Sequence, residues 1–328
     1  MHTRLFNDSG RSVSEIGLGC WQLGGGDWGD LPDERAFDIL QAAVDSGSDF
    51  WDTADVYGGG RSEELIGRFI KERKPAIFVA TKLGRYFEPG GDANYTEATF
   101  RAHTEASLRR LQLETVDLTQ LHCIPTEQLA RGDVFEWLRK LRADGKIRHF
   151  GASVQSMDEA LLCLKQDGIA SLQIIFNIFR QKPITTLFDQ ARAKNVALVI
   201  RLPLASGLLS GKMTKEAQFP ANDHRNYNRD GQAFNVGETF AGLPFELGVD
   251  LADALKPLVP SGIPMAQMAL RWILDFPAVT VIIPGASRPD QAASNSAASA
   301  LAPLSPDLQG KLSAFYEGRV HEHIRGPY

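Results

Sequence analysis

The chain has 328 residues, 43% of them hydrophobic and 23% charged, which suits a folded core and leaves no segment apolar enough to span a bilayer. A formal net charge of −5 argues against nucleic acid as a partner. The three cysteines, Cys20, Cys123 and Cys163, lack metal-like spacing, and the first residues lack the apolar run of a signal peptide, so a reducing, cytoplasmic setting without a metal site is expected.

In chain order, residues up to Ser14, with Asn7-Asp8-Ser9-Gly10 as a turn, predict a small hairpin able to plug a barrel floor. A strand follows over 16–20. Gly24-Gly25-Gly26-Asp27-Trp28-Gly29 then matches G-x-G-x-x-G, but Asp30-Leu31-Pro32 delays the helix to about Asp33, unlike a dinucleotide-binding turn. The segment reads as a mobile loop at a barrel mouth, with Trp28 as a wall of a substrate pocket. Phe37, Leu40 and Val44 share a helical face that stops at Gly47. After a strand over 49–52, Ser62 is the expected N-cap of a helix carrying Leu65, Ile66, Phe69 and Ile70. Strands at 77–81, 116–121, 148–152, 172–176, 197–201 and 279–283 alternate with further amphipathic stretches. Eight strands so arranged predict a (β/α)8 TIM barrel, one domain over 1–328, with an N-terminal hairpin. Between Lys212 and Gly248, after the seventh strand, runs a loop rich in Asn, Asp, Arg and Gly that is long enough to be a lid. Phe87, after the third strand, is a second expected substrate contact. Val320-His321-Glu322-His323 reads as a solvated tail rather than a metal site.

Asp52, Tyr57, Lys82 and His122 lie at or just past the second, third and fourth strands, and strand ends in a parallel barrel face one mouth. A free tyrosine has a pKa of about 10, and a neighbouring ammonium favours its phenolate, so Lys82 is expected to pull Tyr57 down. Asp52 would hold the ammonium. A neutral His122 could hydrogen-bond a carbonyl oxygen or the phenol, so the set implies proton relay to an oxygen. The seventh strand leads into Arg201-Leu202-Pro203-Leu204-Ala205-Ser206-Gly207-Leu208-Leu209-Ser210-Gly211-Lys212, and the eighth into Ile283-Pro284-Gly285-Ala286-Ser287-Arg288. Small residues, free backbone N–H groups and basic ends suit a diphosphate at the place where barrels bind phosphate.

The spacing of Asp52-Thr53-Ala54 to Tyr57-Gly58 and Ser62-Glu63, with the Thr81-Lys82 and Leu121-His122 strand ends, resembles the catalytic tetrad of the aldo-keto reductases. The resemblance extends over essentially the whole chain. It implies a barrel binding NADP(H) or NAD(H) without a dinucleotide-binding domain, and hydride transfer between nicotinamide C4 and the carbonyl carbon of a small aldehyde or ketone. Tyr57 would protonate the oxygen, Lys82 and Asp52 would tune it, and His122 would orient the substrate. By the same resemblance, Trp21 and Asp52 would line the nicotinamide ribose, and Ser153 and Gln173 would hold the carboxamide. Val154 stands where many members have Asn. Arg201 stands where many stack a Tyr on the nicotinamide; a guanidinium plane can also stack on a ring, and the resemblance is to a bacterial branch with Arg in that place. Leu204, Ser206, Gly207, Leu208, Lys212, Gly285, Ser287, Arg288, Gln291 and Asn295 would serve the diphosphate and adenosine.

Arg288 and Ser287, with no acidic residue between Pro284 and Pro289, favour NADPH over NADH. Two other readings stand beside this one, a nucleotide-binding regulatory subunit with negligible turnover and a barrel lyase forming a Schiff base on Lys82. Natural substrate, direction of reaction and oligomeric state are open at this point.

Overall fold

The computed structural model describes residues 1–7 and 9–328. An antiparallel pair, β1 (Thr3–Leu5) and β2 (Ser12–Ser14), precedes eight parallel strands. These are β3 (Leu18–Gly19), β4 (Phe50–Asp52), β5 (Phe78–Leu83), β6 (Val116–His122), β7 (Ile147–Ser153), β8 (Ile169–Ile175), β9 (Ala197–Arg201) and β10 (Val279–Ile282). They neighbour one another in chain order, and parallel bridges from Ile16 to Ile282 and Gly19 to Gly285 join the first strand to the last. The architecture is the expected (β/α)8 barrel with its N-terminal hairpin.

The strands read as apolar runs because both faces are covered, by helices outside and side chains inside. Every residue of β5, β6 and β8 is buried. Strand limits differ from expectation by a few residues, and Lys82 and His122 lie within the ends of β5 and β6 rather than past them.

The hairpin does plug the floor. Phe6 and Val13, both fully buried, join Phe50, Phe78, Leu118, Ala170, Val199 and Val281 in one interior cluster. The Phe6 ring lies 4.7 Å from Phe78 and 6.1 Å from Phe50. Of the predicted turn, Asp8 falls outside the described residues, and Phe6 N–H donates to Arg11 O at 2.9 Å.

The first helix, Asp33–Asp45, starts where expected and buries Ala36, Ile39, Leu40 and Ala43, with Phe37 and Val44 at the edges of that face. Ser62 is not an N-cap. The helix runs Arg61–Arg73 after Gly58, Gly59 and Gly60, all left-handed at φ 61°, 64° and 105°, so no extended residue precedes it to act as a cap. Instead the Ser62 hydroxyl donates to Cys20 O and accepts from Thr53 Oγ1, both at 2.8 Å, tying the helix to two strand ends.

Residues 21–29 form two 3-10 turns, Trp21–Gly24 and Gly26–Trp28, not a dinucleotide-binding turn. The segment is tethered through Asp27. Asp27 accepts from Trp21 Nε1 at 2.9 Å and from Tyr227 Oη at 2.6 Å, and its carbonyl lies 3.1 Å from His224 Nδ1. Among the described residues no helix is long and apolar enough to cross a membrane.

Candidate active site

The ends of β4, β5 and β6 and the turn after β4 bring Asp52, Tyr57, Lys82 and His122 together. Lys82 Nζ donates to Asp52 Oδ1, to Thr53 O at 2.8 Å and to Tyr57 Oη at 3.2 Å, which uses all three of its protons. Asp52 Oδ2 accepts from Gln173 Nε2 at 2.7 Å and Gln120 Nε2 at 3.1 Å. Both oxygens of the buried Asp52 therefore have hydrogen-bond partners, the condition under which such a pair is tolerated. His122 stands edge-on to the Tyr57 ring with centroids 5.8 Å apart, and Trp21 stacks on the same ring at 5.8 Å. The Tyr57 turn approaches the Trp21–Gly24 turn so closely that a Cβ on Gly58 would lie 2.2 Å from Gly24 O.

Electrostatics correct one expectation. Burial raises the Tyr57 phenol to about 12, and the Lys82 charge only offsets part of that rise. Tyr57 is thus a protonated phenol with an ammonium against its oxygen. For Lys82 burial acts downward, but Asp52 and Tyr57 outweigh it and hold the amine above its ordinary value, as a cation. Burial, then the charges of Arg85, Lys82 and Arg201, push His122 well below the usual imidazole value, so it is neutral as expected. Its Nδ1 is buried without a hydrogen-bond partner.

Tyr57 and His122 open into an elongated cavity of about 610 Å³ that runs to Ser287 and Arg288 beyond β10. Its walls include Trp21, Trp28, Asp52, Ser153, Gln173, Arg201, Leu204, Ser206, Gly207, Lys212, Gly285, Ser287, Arg288, Gln291 and Asn295, all expected from the sequence. Two expected contacts lie elsewhere. Leu208 is fully buried beneath the cavity wall, with its methyl groups against Gly248, because the left-handed pair Ser206-Gly207 turns the chain and points Leu208 into the core. Phe87 is 62% exposed and stacks on Tyr86 at the outer rim, since Gly84 at φ 107° carries that loop outward.

At the far end Gln291 Oε1 accepts from Ser287 N at 2.8 Å and from its hydroxyl at 3.0 Å. Arg288 is exposed and paired with Asp290, at 3.0 and 3.2 Å. That carboxylate lies just outside the segment in which the sequence shows no acid. Arg201, ending β9, donates to Val154 O at 3.1 Å and lies 3.6 Å from Cys123 Sγ.

The long loop after β9 covers the mouth and supplies residues that strand periodicity does not reveal. Buried His224 packs 4.7 Å from Trp21 and 4.4 Å from Trp28, which fixes both walls. Arg225 grips Asp223 with two hydrogen bonds and lies over the Trp28 ring at 4.8 Å. Glu238 reaches into the cavity wall opposite Arg85 and Arg201. Gln120 was equally hidden. The available signal was a polar side chain in a strand otherwise reading as buried.

The Aldo/keto reductase family model matches residues 15–317. Aldo-keto reductase YhdN of Bacillus subtilis is 31% identical over 296 residues, covering 87% of this chain and 84% of YhdN. Aldo-keto reductase yakc of Schizosaccharomyces pombe, whose name carries NADP(+), is 27% identical over 297 residues, covering 87% and 82%. The solved glycerol dehydrogenase AKR11B4 from Gluconobacter oxydans is similar with a TM-score of 0.78 and 29% identity, covering 99% of this chain and 98% of that one.

Proposed function

The chain belongs to the aldo/keto reductase family, and on that premise we propose that it is an NADPH-dependent enzyme reducing aldehydes or ketones to alcohols. The observation that carries this reading is the Lys82 ammonium held between Asp52 and the buried Tyr57 hydroxyl at the base of an elongated cavity.

The cavity fits a nicotinamide dinucleotide. The lack of a side chain at Gly285 lets the Gln22 amide pack against the cavity wall, where a Cβ would come within 2.2 Å of it, and Gln22 Oε1 is buried there without a partner. Arg201, Ser153 and Gln173 would hold the nicotinamide end, Lys212 and the Ser206–Gly207 turn the diphosphate, and Ser287, Arg288, Gln291 and Asn295 the adenosine. When bound, the reduced cofactor supplies a hydride to the carbonyl carbon.

Tyr57 holds its proton at neutral pH, and Lys82 stabilises the phenolate left when that proton moves to the carbonyl oxygen. Asp52, fixed by Gln120 and Gln173, keeps Lys82 charged and aimed. Neutral His122 orients the carbonyl beside the phenol, and Trp21 and Trp28 exclude water over it. Such walls suit a small or moderately apolar aldehyde, or one derived from a sugar.

A lyase using Lys82 is disfavoured, because a Schiff base needs a free amine and all three Lys82 protons are engaged. The test is to titrate NADPH by its fluorescence and then add a panel of aldehydes and ketones, with NADH in parallel. Binding followed by oxidation of NADPH supports the reading. Binding without turnover makes the protein a nucleotide-binding regulatory subunit, and no binding removes the cofactor assignment.

A further inference from the structure

Glu238 is an acidic side chain set beside Arg85 and Arg201, two cations carried at the ends of barrel strands. The loop after β9 delivers it. Asn235 caps the Val236–Glu238 turn by accepting from Gly237 N–H at 2.8 Å, and the Glu238 carboxylate is then 7% exposed in the cavity wall. Oε1 lies 3.6 Å from Arg85 Nη1, and Oε2 lies 3.9 Å from Arg201 Nη1. Both separations exceed a direct hydrogen bond, and Oε1 has no hydrogen-bond partner, so the carboxylate acts through its charge.

The two arginines stand beside the reacting end. Arg201 touches Cys123, the residue after His122, and Arg85 follows the β5 end that carries Lys82. Lys82 and Asp52 cancel and His122 is neutral, so the local charge is set by Arg85, Arg201 and Glu238. An oxidised nicotinamide ring is cationic and the reduced ring is neutral. Two uncompensated guanidinium groups would therefore discriminate against the oxidised form.

We infer that Glu238 is a positioning residue whose carboxylate balances the Arg85 and Arg201 charges and thereby sets the relative affinity of the site for oxidised and reduced nicotinamide. The inference rests on the proposed cofactor site, with the nicotinamide at the Tyr57 end. It goes beyond that reading by giving the covering loop a direct part in the redox preference.

The test is to measure dissociation constants of NADP+ and NADPH, by titration at fixed ionic strength, for the wild type, Glu238→Gln and Arg85→Gln. Glu238→Gln should raise the ratio of the NADP+ to the NADPH constant by about 3- to 30-fold, the range for one charge at an effective dielectric near 20 with salt screening. Arg85→Gln should lower the same ratio. Opposite shifts cannot come from loosening a loop, which weakens both cofactors together. If both variants keep the wild-type ratio within about twofold, the inference falls while the function stands. If the wild type binds neither nucleotide, the functional reading falls and takes the inference with it. Should Glu238→Gln fail to fold, the sign of the Arg85→Gln shift decides.

Discussion

Lys82→Met separates stability from chemistry at one position. Lys82 is 1% exposed, and its removal leaves Asp52, 2% exposed, without its cation. Breaking a buried pair by removing one partner costs roughly 3–5 kcal/mol. Asp52 keeps its Gln120 and Gln173 hydrogen bonds, so a value near the lower end, about 3 kcal/mol, is expected for the single variant. The double variant Lys82→Met/Asp52→Asn removes both charges and should recover much of that loss. The chemical effect has a different signature. Lys82 Nζ is 3.2 Å from Tyr57 Oη, and an opposite charge that close depresses a pKa by about 1–3 units. Without it the phenol rises further, so the alcohol-oxidising direction, which needs the phenolate, should shift its acidic limb to higher pH. Urea unfolding of both variants and a pH profile of alcohol oxidation provide the readouts. A single variant with the wild-type urea midpoint and an unshifted limb would refute the argument.

Tyr57→Phe should reduce turnover by roughly 10²–10⁴-fold while the NADPH dissociation constant, read by fluorescence titration, barely changes. Near wild-type reduction rates would show that the proton comes from elsewhere. Arg288→Ala should weaken NADPH by about 10-fold, the low end for a charge-assisted hydrogen bond because Asp290 already shares the guanidinium, and should leave NADH nearly unaffected. Equal losses for both cofactors would remove Arg288 from the 2′-phosphate. Stability should also fall below pH 6.5, because His122 binds its proton far less readily when folded than when unfolded, so the unfolded chain takes up more protons in that range. His122→Gln should flatten that part of the urea-midpoint profile.

The tetrad was legible in the sequence because each member sits at a fixed offset from a strand end, and parallel strands converge those offsets on one mouth. The far wall of the cavity was legible for the same reason, as small residues following β9 and β10. Other features depend on distances the sequence does not encode. Burial reverses the expected net shift on Tyr57, and burial is a property of the packed mouth rather than of the neighbouring lysine. Ser62 resembles a cap until the three left-handed glycines before it move the helix start to Arg61. Gln120 hides within β6, where buried polar residues break the apolar run without a period. Asp27, His224 and Glu238 belong to loops whose course follows from mutual contacts, such as the Tyr227 hydrogen bond to Asp27 across 200 positions.

The plugged floor has a consequence for how this protein can change. Phe6, Phe50 and Phe78 close one end of the barrel with apolar contacts, while the chemistry gathers at the other end. Mutations that reshape Trp28 or Arg225 draw little on the contacts that hold the strands together, so selection for a new substrate can proceed at the mouth with the fold's margin largely untouched. The hairpin supplies that insulation with two three-residue strands. Libraries aimed at substrate range should therefore randomise the covering loop and the Trp21–Trp28 turns and leave the first fourteen residues fixed.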